Sequence, residues 1–194
     1  MAFINDQHYI NQVIVGNSNS FAVLVDQYKD LVFTLAFKML KNKEEAEEVS
    51  QDTFIKVFNS LNKFKGESKF STWIYKITYN TCLDRLKKSK KENSVLYIED
   101  FNEHQVRTIE SVLDTLDEKE RIQKIQECLQ LLPSKEAFLL TLYYFDNQPI
   151  DEIAKIIDCN SNNVKIKLFR SRKKLALILK ERLEPEILSY YENK

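Results

Sequence analysis

The chain has 194 residues, 43% of them hydrophobic, and its 29 Lys and Arg balance 29 Asp and Glu. That length allows one domain or two small ones, and neutrality means that any affinity for nucleic acid must come from local segregation of charge. With only two glycines and three prolines, against about 7% and 5% in an average chain, turns for a sheet protein are scarce and a mostly helical fold is expected. No stretch approaches the roughly 18 apolar residues that a membrane helix needs. Residues 1–10 carry neither a basic leader nor an apolar run, so a cytoplasmic location is expected. Cys82, Cys128 and Cys159 are odd in number, widely spaced and joined by no CxxC, which favours buried reduced thiols over disulfides or a zinc site.

In chain order, residues 21–40 place Phe21, Leu24, Val25, Tyr28, Leu31, Val32 and Leu35 at i, i+3, i+4 and i+7 spacing, the mark of an amphipathic helix. A second helix is expected over 43–61. Its first half holds Glu44, Glu45, Glu47 and Glu48, where negative charge suits the helix dipole, and Val49, Phe54, Val57, Phe58 and Leu61 follow. After a polar break around Gly66, a third helix over 68–89 presents Phe70, Trp73, Ile74, Ile77 and Leu86 to a core. Three such helices can close a bundle.

The basic run Arg85, Lys87, Lys88, Lys90 and Lys91 then gives way to residues 92–120, with nine acids against Arg107 and Lys119. This reversal of sign, without a long apolar period, marks an acidic flexible linker over 92–117. Helices are expected again over 119–132, 134–145 and 149–157, and over 161–183 after a tight turn at 158–160. Pro133 suits a helix start and Ser161 an N-cap. Short helix, turn and longer helix form a helix-turn-helix pattern, with Ile153, Ala154 and Ile157 on the inner face of the first helix and Val164, Leu168, Leu175 and Leu179 on that of the second. The expected fold class is all-α, with two small helical domains at 15–91 and 118–183 joined by the linker.

Between residues 160 and 180 stand Lys165, Lys167, Arg170, Arg172, Lys173, Lys174 and Lys180, with no acid. A helix fits the major groove, where residues near its N-terminus reach base edges and cations further along neutralise phosphates. Asn162, Asn163 and Lys165 are therefore candidate base readers, with Lys167, Arg170 and Arg172 as candidate phosphate anchors. Residues 64–80 interleave Phe64, Phe70, Trp73, Tyr75 and Tyr79 with Lys65, Lys69 and Lys76. Such mixing suits unpaired DNA, because stacking of a base on an aromatic face contributes about 1 to 3 kcal/mol. Periodicity places Phe70, Trp73 and Ile77 in the core and leaves Tyr75, Lys76, Tyr79, Asn80 and Arg85 on another arc. The acidic-to-apolar segment 44–58 fits either a solvated helix face or a protein-binding surface. Asp6, Asp26, His8 and His104 form no acid-base or metal constellation, and neither GxSxG nor a glycine-rich phosphate loop occurs, so no catalytic residue, cofactor or metal is expected.

Two blocks, AEEVSQDTFIKVFNSLNKFKGESKFSTWIYKITYNTCLDRLKK and LPSKEAFLLTLYYFDNQPIDEIAKIIDCNSNNVKIKLFRSRKKL, together resemble sigma-70 family factors of the extracytoplasmic-function (ECF) group in order and spacing. The resemblance covers roughly residues 15–90 and 118–182. It implies a non-catalytic subunit that joins bacterial core RNA polymerase, directs it to promoter DNA and assists strand separation. By this analogy Glu48, Gln51, Asp52 and Phe54 dock on the polymerase. The segment 62–70, including Lys65 and Lys69, captures an unpaired base of the -10 element, with Trp73, Tyr75, Lys76, Tyr79, Asn80 and Arg85 beside the melted strand. Ser161, Asn162, Asn163, Lys165, Lys167, Arg170 and Arg172 read the -35 element. The chain departs from the family's usual pattern at Asn162, Asn163 and Ile166, where a small residue, Thr and Ser are common, and at Asp158, where glycine is frequent. Asp tolerates the left-handed backbone that such a turn requires. The family also implies a dedicated anti-sigma protein as a partner. Two other readings explain parts of the pattern: a stand-alone helix-turn-helix regulator, and a helical adaptor that binds only proteins.

Overall fold

The computed structural model describes residues 6–89 and 117–182. The expected linker and the ends of the chain therefore lie outside the described residues. Eight α-helices follow one another and no strand occurs among the described residues, in accord with the all-α expectation. They are α1 (Asp6–Ile14), α2 (Asn19–Leu40), α3 (Lys43–Ser60), α4 (Phe70–Ser89), α5 (Glu118–Leu131), α6 (Ser134–Tyr144), α7 (Ile150–Ile156) and α8 (Ser161–Arg182), with a 3-10 turn at Leu61–Lys63 after α3. None is long and apolar enough to cross a membrane. The chain divides into two compact units, residues 1–92 with 148–161 and residues 93–147 with 162–194.

In the first unit, α1 to α4 bury Ile10, Leu24, Tyr28, Val32, Val57, Leu61, Phe70 and Ile74 against one another. The periodic stripes of α2, α3 and α4 fall where their spacing predicts, because a 3.6-residue repeat brings i, i+3, i+4 and i+7 to one side. Helix α1 is unexpected: its apolar pattern is short, yet Ile10 is wholly buried. Asp6 at its start accepts hydrogen bonds from the Tyr28 hydroxyl at 2.8 Å and from Gln27 Nε2 at 3.1 Å. Burial and this carboxylate both push the Tyr28 phenol above its ordinary pKa.

Local chemistry sets the helix ends. Lys41, with φ 56°, closes α2 by donating its backbone N–H to Phe37 O, a left-handed cap that glycine more often supplies. Asn42 then caps α3 through a 2.8 Å bond from Glu45 N. Asp117 caps α5 through Glu120 N, which sets the point where helix resumes after the acidic segment. Buried Thr78 and Thr81 on α4 return their hydroxyls to Ile74 O and Ile77 O, so burial leaves neither oxygen unsatisfied.

In the second half of the chain, Asp158 adopts the left-handed φ of 56° between α7 and α8, the conformation its position in the turn requires. Two details differ from expectation. Ile156, not Ile157, is the fully buried residue at the end of α7, since a seven-residue helix turns only about twice and Ile153 and Ile156 share its inner side. Ser161 is itself the first residue of α8, and its hydroxyl donates to Asp151 Oδ1 at 2.5 Å. Val164, Leu168 and Leu179 are buried as predicted, and Leu175 is half-buried.

Cys82 and Cys128 are buried and Cys159 is half-buried. Desolvation pushes the Cys82 thiol up to about 12 and also raises Cys128. A thiol-reactive disulfide reagent at pH 8 is expected to label Cys159 fast and the other two only after unfolding, since the thiolate is the reactive form. Equal labelling rates for Cys82 and Cys159 would contradict this packing. The raised Cys82 value also has a pH consequence. Unfolded thiol ionises near about 8.5, so the stability contributed by keeping it neutral is present below that value and lost as pH rises towards 12.

Candidate nucleic-acid and protein interfaces

The outer face of α3 differs from the expected one in its apolar members. Glu48, Gln51 and Asp52 are exposed as predicted. Phe54 is half-buried and edge-on to Phe21, with centroids 6.5 Å apart, so it supports the core instead of standing out. The exposed apolar residues are Ile55 (59%) and Phe58 (45%). Glu48, Gln51, Asp52 and Ile55 are spaced i, i+3, i+4 and i+7 on one helix face. The same spacing rule applied to the polar residues would have found Ile55. A face of carboxylate, amide and exposed apolar side chains, with Phe58 edge-on to Phe21 at 5.0 Å between centroids, has the composition of a protein-docking surface, in which apolar anchors lie within a polar rim.

Arg85 of α4 lies beside this face. Its guanidinium pairs with Glu48 and lies 3.9 Å from Glu45 Oε1. Attraction between α3's acidic first turns and the cation places Arg85 beside Glu48, so in this arrangement its charge is paired with a carboxylate.

Around the break at Gly66 the aromatic residues pack together. Phe64, Phe70 and Trp73 form a cluster with centroids 5.3 to 5.7 Å apart. Phe70 is buried and Trp73 half-buried, so the indole is seated on the core with part of its surface open. Lys65, Lys69 and Asn80 are exposed, and Lys76 and Tyr79 are half-buried. Tyr75 departs from expectation: only 4% of it is exposed, because it follows Ile74 on the side of α4 turned to the interior. It does not present its ring to a nucleic acid in this arrangement. Within the same unit the Thr72 hydroxyl donates to Glu152 Oε2 at 2.6 Å and Lys76 Nζ pairs with Asp158 at 3.0 Å. Hydrogen bonds from Lys155, at 2.8 Å, and from Thr72 hold the Glu152 carboxyl below the ordinary carboxylate range.

Helix α8 sorts its cations into two groups. Asn162, Asn163, Lys165, Lys167 and Arg170 are exposed, and Ser161 is half-buried and held by Asp151. Arg172 is the correction. Its guanidinium carbon sits 5.5 and 5.4 Å from the centroids of Tyr143 and Tyr144, and its Nε is buried without a hydrogen-bond partner. It is a packing residue of the second unit, held by cation–π attraction. Lys174 is likewise engaged, at 2.5 Å from Glu136 Oε1 with both side chains mostly covered. Of the exposed cations on α8, Lys165, Lys167 and Arg170 stand on its first three turns and Arg182 at its far end beside Glu181.

The sigma-70 region 2 family model matches residues 24–92 and the sigma-70 region 4 model residues 122–175. The ECF RNA polymerase sigma factor SigW of Bacillus subtilis is 32% identical over 178 residues, covering 89% of this chain and 95% of that protein. The chain belongs to the sigma-70 family, in its ECF group. This sigma factor is thus a promoter-directing initiation factor and not an enzyme. It is also similar to the RNA polymerase sigma-H factor of Pseudomonas aeruginosa, at 29% identity over 86% of this chain and 90% of that one. Among solved structures, the sigma factor RpoE of Bartonella quintana, in complex with the anti-sigma factor NepR, shares its fold, with a TM-score of 0.59 at 18% identity over 82% of this chain and 96% of that one.

The two groups of cations on α8 have separable consequences. Lys174→Ala is expected to lower stability by about 1 kcal/mol, the loss of one charged hydrogen bond, and Lys165→Ala to leave the thermal midpoint unchanged. Thermal unfolding of both variants checks this, and equal midpoints would contradict the assignment.

Proposed function

We propose that the sigma factor divides its work among the three surfaces just described. The exposed face of α3 engages core RNA polymerase through Glu48, Gln51 and Asp52, with Ile55 and Phe58 as apolar anchors. The break around Gly66 and the start of α4 meet the unpaired strand of the -10 element. There Lys65 and Lys69 track phosphates, and the open part of Trp73 with Tyr79 and Asn80 lies beside the bases. The first turns of α8 enter the major groove at the -35 element, where Asn162, Asn163 and Lys165 reach bases and Lys167 and Arg170 hold phosphates. By function the chain would divide into 15–91 for polymerase and -10 contacts, 118–183 for the -35 contacts and 92–117 as the tether, a division that differs from the compact units in the place of 148–161. The protein works in the cytoplasm, where polymerase and promoters are.

The observation that carries this reading is the segregation of exposed charge. The chain is neutral overall, yet α3 offers exposed acids and apolar groups while α8 offers exposed Asn, Lys and Arg. Phosphate contacts favour the second surface for DNA, and the first is unsuited to it. Lys76 and Arg85, each paired with a carboxylate, contribute to DNA binding only once those pairs open. An anti-sigma protein that covers the α3 face would hold the factor inactive; RpoE of Bartonella quintana, which shares the fold, has been solved in complex with an anti-sigma factor, NepR.

Separate losses test the division. Asp52→Ala and Ile55→Ala are expected to weaken binding to core polymerase severalfold, with promoter contacts of the assembled enzyme unchanged. Arg170→Ala is expected to leave polymerase affinity intact and to reduce the salt dependence of promoter binding by about one phosphate contact. Unchanged polymerase affinity in both α3 variants would overturn the docking assignment.

A further inference from the structure

Ile166 occupies the centre of the outward face of α8. Its neighbours two residues either way, Val164 and Leu168, are buried, and at 3.6 residues per turn a two-residue step rotates a side chain by about 200°. Ile166 therefore points away from the second unit's core, and it is 49% exposed. On the same face, one turn to either side, stand Asn162, Asn163 and Arg170. The other exposed apolar residue of this helix, Phe169, has Lys173 Nζ 4.9 Å from its ring centroid, so its ring is already engaged. An aliphatic side chain thus stands in the middle of an Asn, Lys and Arg surface, on the second turn from the helix N-terminus.

Those surroundings select the partner. Residues 160–180 contain no acid, which favours a polyanion over a protein whose apolar groups would need a wider patch. The major-groove edges of the bases offer donors, acceptors and one apolar group, the 5-methyl of thymine. Isoleucine has no polar atom with which to satisfy the donors and acceptors, and its branched side chain is suited to covering a methyl. We propose that Ile166 is a specificity-determining residue that packs against a thymine 5-methyl group in the -35 element. This rests on the reading that α8 enters the major groove there. A cytosine at that position would lose the methyl and leave its amino group facing a side chain that cannot accept from it, so the contact selects T·A.

The test uses the polymerase holoenzyme formed with the full chain, on a promoter from which it initiates. Each thymine of the -35 element, on either strand, is replaced singly by deoxyuridine, which removes only the methyl group. At one position affinity is expected to fall about three- to tenfold, the worth of one or two buried methyl groups, and Ile166→Ala should abolish that sensitivity while Ile166→Val keeps most of it. Equal affinity for every deoxyuridine promoter, sensitivity unchanged in Ile166→Ala, or a -35 element without thymine would overturn the proposal. So would an Ile166→Ala protein that loses only binding to an inhibitory protein. Hydroxyl-radical footprinting separates the two failures: -35 protection without methyl sensitivity overturns the Ile166 contact alone, whereas absence of that protection overturns the placement of α8 as well.

Discussion

Tyr28 is the point on which the first unit turns. It stands among side chains from four helices, its ring is edge-on to Phe70 with centroids 5.6 Å apart, and its hydroxyl must find a partner once the ring is buried. Asp6 supplies that partner, and so draws α1 onto the bundle. With α2 fixed by this contact and by the stripe from Leu24 to Val32, the inner faces of α3 and α4 are decided, and with them the outer ones. Gln51, Asp52 and Ile55 are outside because Val49, Thr53 and Val57 are inside.

The same geometric logic governs α8. Val164, Leu168 and Ser171 face inward, which leaves Asn162, Ile166 and Arg170 outward. Cations at the margins of the buried stripe are used for packing: Arg172 lies over Tyr143 and Tyr144, and Lys174 meets Glu136. A basic helix in a small domain thus serves two ends, and register decides which lysine or arginine serves which.

Much of this was legible in the sequence. The scarcity of glycine and proline and the long 3.6-residue periods pointed to helices, and their ends fell within a residue or two because caps such as Asn42 and Asp117 have a local chemical cause. Which polar residues stand exposed was legible where they repeat along one helix face, as Glu48, Gln51 and Asp52 do. Five features were not. Helix α1 is held by the burial of Ile10 and by long-range bonds from Gln27 and Tyr28 to Asp6, which no local pattern reports. Tyr75 and Phe54 carry a polar neighbourhood in sequence, yet tertiary packing takes their rings inward. Arg85 and Arg172 were read by charge alone, and charge does not distinguish a cation bound to a neighbouring carboxylate or ring from one left for a phosphate.

Surface division is what makes a neutral chain able to act as a bridge between an enzyme and DNA: one face carries acid and apolar groups, another carries amide and basic ones, and few residues serve both. The most direct test of that account is transcription by core RNA polymerase lacking other sigma factors, supplied with this chain and fragmented DNA of its source, with the 5′ ends of the transcripts mapped. The account predicts new start sites preceded by two shared elements at constant spacing. Absence of new starts, with no complex between the chain and a matched core enzyme, would contradict it.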